Sequence, residues 1–285
     1  MKLKNLFKKK KDPNALKQVR VERYTLWANG EHPIEQLLNV YKYYSRNLAR
    51  LAKYIEHKYP SYNIIDVGAN IGDTAALIRS VGVNQHIHSF EGEHTYFTLL
   101  QTNMEQFKNV STYEAFLGEA NETQTIATEV SLGTAKLSQQ SDRQIVIQKL
   151  SDLVNKHQIN NIKLLKTDTD GFDLKILRGS LDLISRDKPI LFFEYDATYL
   201  EEQGEDGTAI FKQLQDLGYH KMMYYDNFGK FLICITTKDT ALIQQLYNYM
   251  RKQEGAFPYY DVTVFHKDDD DLADRVVAQE TEFFK

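Results

Sequence analysis

Residues 64–74 read Ile64-Ile65-Asp66-Val67-Gly68-Ala69-Asn70-Ile71-Gly72-Asp73-Thr74, and they carry the clearest structural signal in the chain. A short β-branched run passes into a turn punctuated by glycines, and helix-forming residues follow from Ala75. Glycine lets the backbone approach a ligand closely, and the first turn of a helix presents unpaired N–H groups and the positive end of its dipole. The order of strand, glycine turn and helix is therefore typical of a nucleotide-type cofactor site.

The spacing of the glycines distinguishes between cofactors. A dinucleotide fingerprint requires Gly-x-Gly-x-x-Gly to seat a pyrophosphate, whereas Asn70 stands here in place of the middle glycine. The spacing Asp-x-Gly-x-x-x-Gly resembles motif I of the class I S-adenosylmethionine (SAM)-dependent methyltransferases. SAM carries a carboxylate and an ammonium group, and an acidic Asp66 suits this mixed charge better than a diphosphate, which it would repel. The alternative is an ordinary strand-to-helix turn capped by Asp73 or Thr74.

A second acidic residue follows the next predicted strand. Residues 86–90 have the pattern of that strand, and Glu91 follows it, 25 residues after Asp66 (91 − 66 = 25). This separation is close to the roughly 20 residues at which an acidic group meets a cofactor ribose in a βαβ unit. A carboxylate at that point accepts charge-assisted hydrogen bonds from two vicinal ribose hydroxyls. We therefore predict that Glu91 binds the ribose; a solvated strand end is the alternative.

The composition narrows the class of protein. The chain has 285 residues, enough for one large domain or for one domain with an appendage. Its net charge of −4 argues against a general nucleic-acid-binding protein, which needs a basic surface. The single cysteine, Cys234, excludes an internal disulfide and favours a reducing, cytoplasmic location. No apolar run approaches the roughly 20 residues of a membrane span, so no such span is expected.

Alternating strand and helix signals predict an α/β fold. We expect the Rossmann-like class I methyltransferase architecture: a central, mostly parallel seven-stranded sheet with antiparallel C-terminal strands, helices on both faces and an extra N-terminal helix. The expected organisation is a basic, flexible arm over residues 1–33, the N-terminal helix over 34–60, the methyltransferase domain over 61–267, and a C-terminal tail or helix over 268–285. The oligomeric state is not predicted.

A third block of sequence supports a family resemblance. It reads Lys166-Thr167-Asp168-Thr169-Asp170-Gly171-Phe172-Asp173 and closes on Leu177-Arg178-Gly179. With residues 66–73 and Phe90-Glu91, and more weakly with Tyr260-Asp261-Val262, it makes the chain resemble the FkbM family of SAM-dependent methyltransferases over roughly residues 60–266. Asp170 and Asp173 stand where that family usually has glutamate. The resemblance implies SAM as the cofactor and O-methylation of a hydroxyl, typically on a sugar, a polyketide or another small metabolite.

The predicted site lies beyond the carboxyl ends of the strands, where ligands bind in open α/β sheets. Asp168 is the predicted catalytic residue, which would bind the SAM ammonium, orient the acceptor or act as the base. The alternative for Asp168 is that it caps the following helix, and this is the favoured interpretation of Asp170. For Phe116, predicted to bind the cofactor, the alternative is a core aromatic. The predicted cofactor-binding residues lie in the two motifs and after the third strand: Asp66, Gly68, Ala69, Asn70, Gly72, Asp73, Glu91, Gly92, Ala115 and Phe116.

Other partners and functions remain open from the sequence. No metal site is expected, although Asp168, Asp170 and Glu194 are hard oxygen donors that keep a divalent cation as an option. The expected acceptor is a small molecule or carbohydrate and not nucleic acid, because an amino-group methyltransferase of nucleic acids would need Asn/Asp-Pro-Pro-aromatic at residues 167–170. The alternatives are an amino-group or protein acceptor, and an NAD-dependent or non-catalytic use of the same scaffold.

Overall fold

The computed structural model describes residues 15–125, 127–131, 134–138, 144–251 and 259–285. The strands, numbered in chain order, are β1 (Leu16–Val21), β2 (Tyr24–Asn29), β3 (Asn63–Val67), β4 (His86–Glu91), β5 (Val110–Glu114), β6 (Phe116–Gly118), β7 (Glu122–Thr125), β8 (Ala127–Ser131), β9 (Thr134–Ser138), β10 (Gln144–Lys149), β11 (Ile162–Thr167), β12 (Ile190–Tyr195), β13 (Tyr219–Asp226), β14 (Phe231–Thr236) and β15 (Tyr260–His266). The helices are α1 (Ile34–Val40), α2 (Arg46–Lys58), α3 (Asp73–Ser80), α4 (His94–Met104), α5 (Leu150–Lys156), α6 (Asp173–Gly179), α7 (Leu181–Asp187), α8 (Ala197–Glu202), α9 (Ala209–Asp216), α10 (Thr240–Met250) and α11 (Asp270–Phe283).

One large sheet organises the described residues. Its order is β14-β13-β15-β12-β11-β3-β4-β5, with β12 to β5 parallel and with β15 antiparallel to both β12 and β13. Every residue of β12 is buried, as expected for a parallel strand that is covered on both faces. The α/β class and the antiparallel ending are confirmed. The prediction of seven strands is wrong by one, because β14 returns through a hairpin and pairs with the outer edge of β13.

A flexible arm was predicted over residues 1–33, but that segment is folded from residue 16 onward. Strands β1 and β2 form an antiparallel hairpin, and Val19, Val21, Leu26 and Ala28 are buried in it. Within each strand these residues are two positions apart, which is the pattern of a half-buried strand. The basic composition of the segment favoured a flexible arm and outweighed this pattern. The basic run at residues 8–11 lies outside the described residues.

The expected single helix over residues 34–60 is also incorrect. Helices α1 and α2 are separated by residues 41–45, and Ser45 at the start of α2 has a left-handed backbone (φ +53°). Helix α2 packs against α11, where Arg50 and the buried Glu280 form an ion pair of 2.7 Å. The predicted C-terminal tail or helix is therefore a packed helix. Among the described residues, every helix is too short or too polar to cross a bilayer.

Candidate active site

The glycine turn after β3 adopts a backbone that few side chains allow. Gly68 (φ +70°), Asn70 (φ +49°) and Gly72 (φ +90°) all lie in the left-handed region. A Cβ on Gly68 would overlap the main-chain oxygen of Asp168, and one on Gly72 would overlap the end of the Met104 side chain. The turn therefore touches the loop after β11, so that Gly68 and Asp168, predicted from separate motifs, lie side by side.

Glu91, the last residue of β4, is in direct contact with this turn. Its Oε2 accepts a hydrogen bond of 2.8 Å from the Asn70 backbone N–H, and its Oε1 accepts one of 2.8 Å from the Glu93 N–H. Burial raises the pKa of Glu91, and these backbone bonds counteract only part of that effect. The structure thus brings together the acidic residue and the glycine turn that the sequence predicted as one site.

The end of β5 completes the flank beside Glu91. The Ala115 N–H donates to the Glu91 main-chain oxygen at 2.9 Å. The half-buried ring of Phe116 fills the space where a side chain at Gly92 would lie, so glycine is required there. Gly92, Ala115 and Phe116 therefore lie next to Glu91, and their roles towards a cofactor stay predictions.

Asp66 lies beneath the turn and not on its surface. Its carboxylate is fully buried, and Oδ1 is 3.0 Å from the ammonium Nζ of the equally buried Lys166. Nζ also donates to the main-chain oxygens of Val67 (3.2 Å) and Gly68 (3.0 Å). Burial alone would lower the pKa of Lys166, but the charges of Asp66 and Asp168 outweigh it and raise that pKa. The pair holds the turn in place from below, and any direct contact of Asp66 with the cofactor stays a prediction.

Two further predicted residues lie in the glycine turn and at the start of α3. Ala69 is fully buried, and its N–H donates to the Phe90 oxygen at 3.0 Å, which joins the turn to β4. Asp73 is the first residue of α3, and desolvation raises its pKa to about 6. The N-cap of α3 is Gly72, with no side-chain cap hydrogen bond, so the alternative of a turn capped by Asp73 or Thr74 is wrong.

The loop after β11 presents a cluster of acids. The Asp168 carboxylate is 56% exposed and lies 3.7 Å from Lys166 Nζ. Asp173 is buried beside it, and burial, with the charge of Asp168, raises the pKa of Asp173 to about 6. Burial raises the pKa of Glu194, at the end of β12, well above its ordinary value, and the Asp168 charge adds to this. Among the described residues, no group of three or more acids, histidines or cysteines is placed to hold a metal ion.

The alternative of a helix cap after β11 is not supported. The N-cap of α6 is Phe172, and its side chain makes no cap hydrogen bond. Asp170 instead occupies the tight part of the loop with φ +51°. Neither Asp168 nor Asp170 is therefore the N-cap residue of α6.

His32 is a site neighbour that the sequence did not reveal. Its Nε2 lies 3.0 Å from the Asn70 side-chain oxygen, and burial lowers the pKa of His32 to about 4, so the ring is neutral near pH 7. The Ile34 N–H and the Tyr96 ring also contact this imidazole. The segment between β2 and α1 thus braces the glycine turn, through a contact between distant residues that has no local sequence signal.

A parallel sheet with a glycine turn at one strand end, and an acid at the next, is the arrangement of a class I SAM-dependent methyltransferase. A family model described as "Methyltransferase FkbM domain" matches residues 66–221, more than half of the chain. The chain belongs to the FkbM methyltransferase family. The match favours methyl transfer over the NAD-dependent and non-catalytic alternatives.

Solved structures show more distant likeness. Methyltransferase FkbM from Methylobacillus flagellatus KT is 17% identical, with a TM-score of 0.41, over 57% of this chain and 40% of its own length. Precorrin-6y C5,15-methyltransferase from Geobacter metallireducens GS-15 is 12% identical (TM-score 0.39; 73% and 81% covered). The tRNA (uracil-54, C5)-methyltransferase of Pyrococcus abyssi, solved with S-adenosyl-L-homocysteine, is 10% identical (TM-score 0.41; 87% and 43% covered). A search of curated proteins found no match. The family match, and not these structures, carries the assignment.

Proposed function

We propose that the protein transfers the methyl group of SAM to a hydroxyl of a small molecule or of a sugar. The contact between Glu91 and the glycine turn carries the proposal. Each Glu91 oxygen accepts one backbone N–H, from Asn70 and Glu93. A carboxylate has about four lone-pair sites, so two remain for the vicinal hydroxyls of a ribose. The half-buried Phe116 ring beside Glu91 supplies a flat apolar surface for the adenine.

The charges near Asp168 fit the other end of the same cofactor. Lys166 is paired with Asp66 beneath the turn, so the exposed Asp168 carboxylate presents negative charge towards the open side of the site. SAM is cationic at both its sulfonium and its ammonium, and such charges are attracted by carboxylates. Asp66 contributes to this site through Lys166.

The bound cofactor supplies a methyl group that is activated for transfer to an oxygen nucleophile. Asp168 orients the acceptor hydroxyl and would take its proton as the new carbon–oxygen bond forms. The carbon–sulfur bond of the methyl donor would break in the same step, so that S-adenosyl-L-homocysteine is the leaving group. Positioning of two reactants contributes about 7–11 kcal/mol in favourable cases. A placed base adds roughly 10²–10⁴-fold.

Calorimetric binding of SAM and turnover of two variants test the proposal. Glu91→Ala removes two charge-assisted hydrogen bonds worth about 1.5–3 kcal/mol each, so the KM for SAM should rise at least tenfold. Asp168→Ala should abolish turnover and leave the melting temperature nearly unchanged, because the side chain is exposed. Glu282→Ala, at an exposed position on α11, is the matched control. A folded protein that gives no heat with SAM, or an Asp168→Ala variant with full activity, contradicts the proposal.

A further inference from the structure

Arg178, near the end of α6, joins two segments that are far apart in the chain. Its Nε and Nη2 lie 2.8 and 2.7 Å from Glu119 Oε2, and its Nη1 and Nη2 donate to the two carboxylate oxygens of Glu205 at 2.7 and 2.9 Å. Glu119 follows β6, whereas Glu205 follows α8. One planar guanidinium thus holds two carboxylates, a geometry that the point charge of a lysine does not reproduce.

The two acids differ in how firmly they are held. The Glu205 side chain is 9% exposed, and the Glu205 N–H donates to the Leu200 oxygen of α8 at 2.9 Å. The Glu119 side chain is 51% exposed and lies in the short connection between β6 and β7. Glu205 therefore fixes the guanidinium of Arg178, and the guanidinium in turn holds Glu119.

The residue after Arg178 contacts the same short segment through its backbone. A Cβ on Gly179 would overlap the main-chain oxygen of Gly118, the last residue of β6, and would crowd the backbone of Glu119. Glycine is therefore required at position 179 for α6 to pack directly on the end of β6. Arg178 and Gly179 hold this end together, one by its side chain and one by close backbone contact.

The segment that they hold carries Phe116, the ring proposed to contact the adenine. Strand β6 pairs with β10 and not with the large sheet, so the register of the large sheet does not place it. The bond from the Ala115 N–H to the Glu91 oxygen holds the start of β6. Arg178 and Gly179 hold its other end. The place of the Phe116 ring beside Glu91 therefore depends on α6 as well as on β4.

We propose that Arg178 is a positioning residue for the cofactor, which fixes β6 through Glu119 and so keeps the Phe116 ring against the adenine of SAM. The proposal rests on the proposed function, because it takes Phe116 as the surface that the adenine contacts. Arg178 acts on the cofactor only through residues 116–119. Its loss should therefore weaken binding only as far as it displaces the ring.

A double-mutant cycle between Arg178 and Phe116 tests the proposal. Calorimetry measures the binding of S-adenosyl-L-homocysteine, so no acceptor is needed. Phe116→Ala should weaken binding about tenfold, because it removes the stacking surface. Arg178→Met should weaken it about fivefold, a smaller effect because the ring is displaced and not removed. In the Phe116→Ala background, Arg178→Met should change the affinity by less than about twofold, because the ring through which it acts is gone.

A second ligand shows which end of the cofactor is affected. 5′-Methylthioadenosine carries the adenosine of the cofactor without its amino-acid end. Because Phe116 faces the adenine in the proposal, Arg178→Met should weaken 5′-methylthioadenosine and S-adenosyl-L-homocysteine by the same factor. A loss confined to S-adenosyl-L-homocysteine would mean that Arg178 acts on the loop of Asp168, which overturns the proposal.

Arg186→Met is the matched control, since Arg186 is anchored in a similar way on α7. Its guanidinium contacts the Asp187 carboxylate at 2.8 and 2.9 Å and the Ile159 oxygen at 3.0 Å. Asp187 also accepts from the Ile162 N–H at the start of β11, at the opposite edge of the sheet from the site. Arg186→Met should lower the melting temperature and leave both affinities within about twofold.

The outcomes separate the two proposals. Failure of the folded wild type to bind S-adenosyl-L-homocysteine contradicts the cofactor site itself, and with it the role of Arg178. If the wild type binds, additive effects in the cycle, or wild-type affinity in Arg178→Met or in Phe116→Ala, overturn the role of Arg178 alone. Should Arg178→Met fail to fold, Glu119→Gln decides, because it weakens only the half-exposed end of the contact. It should weaken binding about threefold, and not at all in the Phe116→Ala background; an unchanged affinity overturns the proposal.

Discussion

Replacing Lys166 with methionine removes the buried cation beneath the glycine turn and keeps the length of the side chain. In the wild type, Nζ lies 3.0 Å from Asp66 Oδ1 and donates to the main-chain oxygens of Val67 and Gly68. The Lys166 side chain is only 3% exposed and that of Asp66 is fully buried. Water therefore has little access to replace the missing ammonium.

The structure gives a large expected effect. Removing one partner of a buried ion pair costs about 3–5 kcal/mol, because the remaining charge is left without compensation. Typical domains unfold with about 5–15 kcal/mol, so a fifth or more of the stability would be lost. Burial raises the pKa of Asp66, and Lys166 counteracts part of this rise. Without Lys166, Asp66 should therefore bind a proton more readily. Adding Asp66→Asn removes the orphaned charge, and the double variant should recover on the order of 2 kcal/mol relative to additivity.

Urea unfolding of the four proteins of this cycle gives the coupling free energy. Lys212→Met, at an exposed residue of α9 that pairs with Asp216, is the control and should change the stability by no more than about 0.5 kcal/mol. The reasoning is refuted if Lys166→Met unfolds within about 0.5 kcal/mol of the wild type, or if the two changes add. Either result would mean that water or another group compensates the buried carboxylate.

Three further perturbations have defined outcomes. Gly68→Ala should weaken SAM binding at least tenfold and destabilise the fold, because the added Cβ overlaps a backbone oxygen. Gly82→Ala is the control, since Gly82 has the same left-handed backbone but open space around it. It should lower the free energy of unfolding by only about 1–2 kcal/mol and leave SAM binding in calorimetry unchanged. His32→Leu should raise the KM for SAM severalfold without a matching loss of kcat, because it removes the contact to the Asn70 side chain. His32→Gln keeps a polar group at this position and should restore much of the affinity. Equal KM values for both variants would exclude the bracing role of His32. Burial raises the pKa of Asp261 to about 7, against an ordinary value near 3.9. The folded state therefore binds the Asp261 proton more tightly than the unfolded chain does. The stability that this bound proton contributes is lost as the pH rises from about 4 to about 7. Melting scans across that range should therefore show Asp261→Asn gaining stability relative to the wild type as pH rises, and parallel curves would argue against the shift.

The features that the sequence predicted correctly depend on short segments. The glycine turn and Glu91 each sit at the end of one strand, and the parallel strand order brings such ends to one edge of the sheet. Local spacing was therefore enough to place them together. The predicted count of seven strands is one short of the eight in the large sheet.

Features that depend on contacts between distant segments were not predictable in the same way. Lys166 belongs to the third motif, yet its role as the buried partner of Asp66 depends on a residue a hundred positions earlier in the chain. A lysine directly after Leu164 and Leu165 in β11 was an available signal, because a buried ammonium requires a partner. His32 gave no such signal, since a histidine before a proline has many possible environments. The pairing of Asn47 with Asp261 spans 214 positions and becomes visible only in three dimensions.

The position of β15 has a consequence for biosynthesis. Strand β15 is the last of the described strands in sequence order, yet it pairs with β12 on one side and β13 on the other. Until the ribosome has released residues 260–266, the nascent polypeptide carries two unprotected sheet edges facing a gap. Such edges recruit other chains, and long-range pairing of this kind forms slowly. Premature termination before Tyr260 should therefore yield an aggregation-prone product instead of a smaller working enzyme.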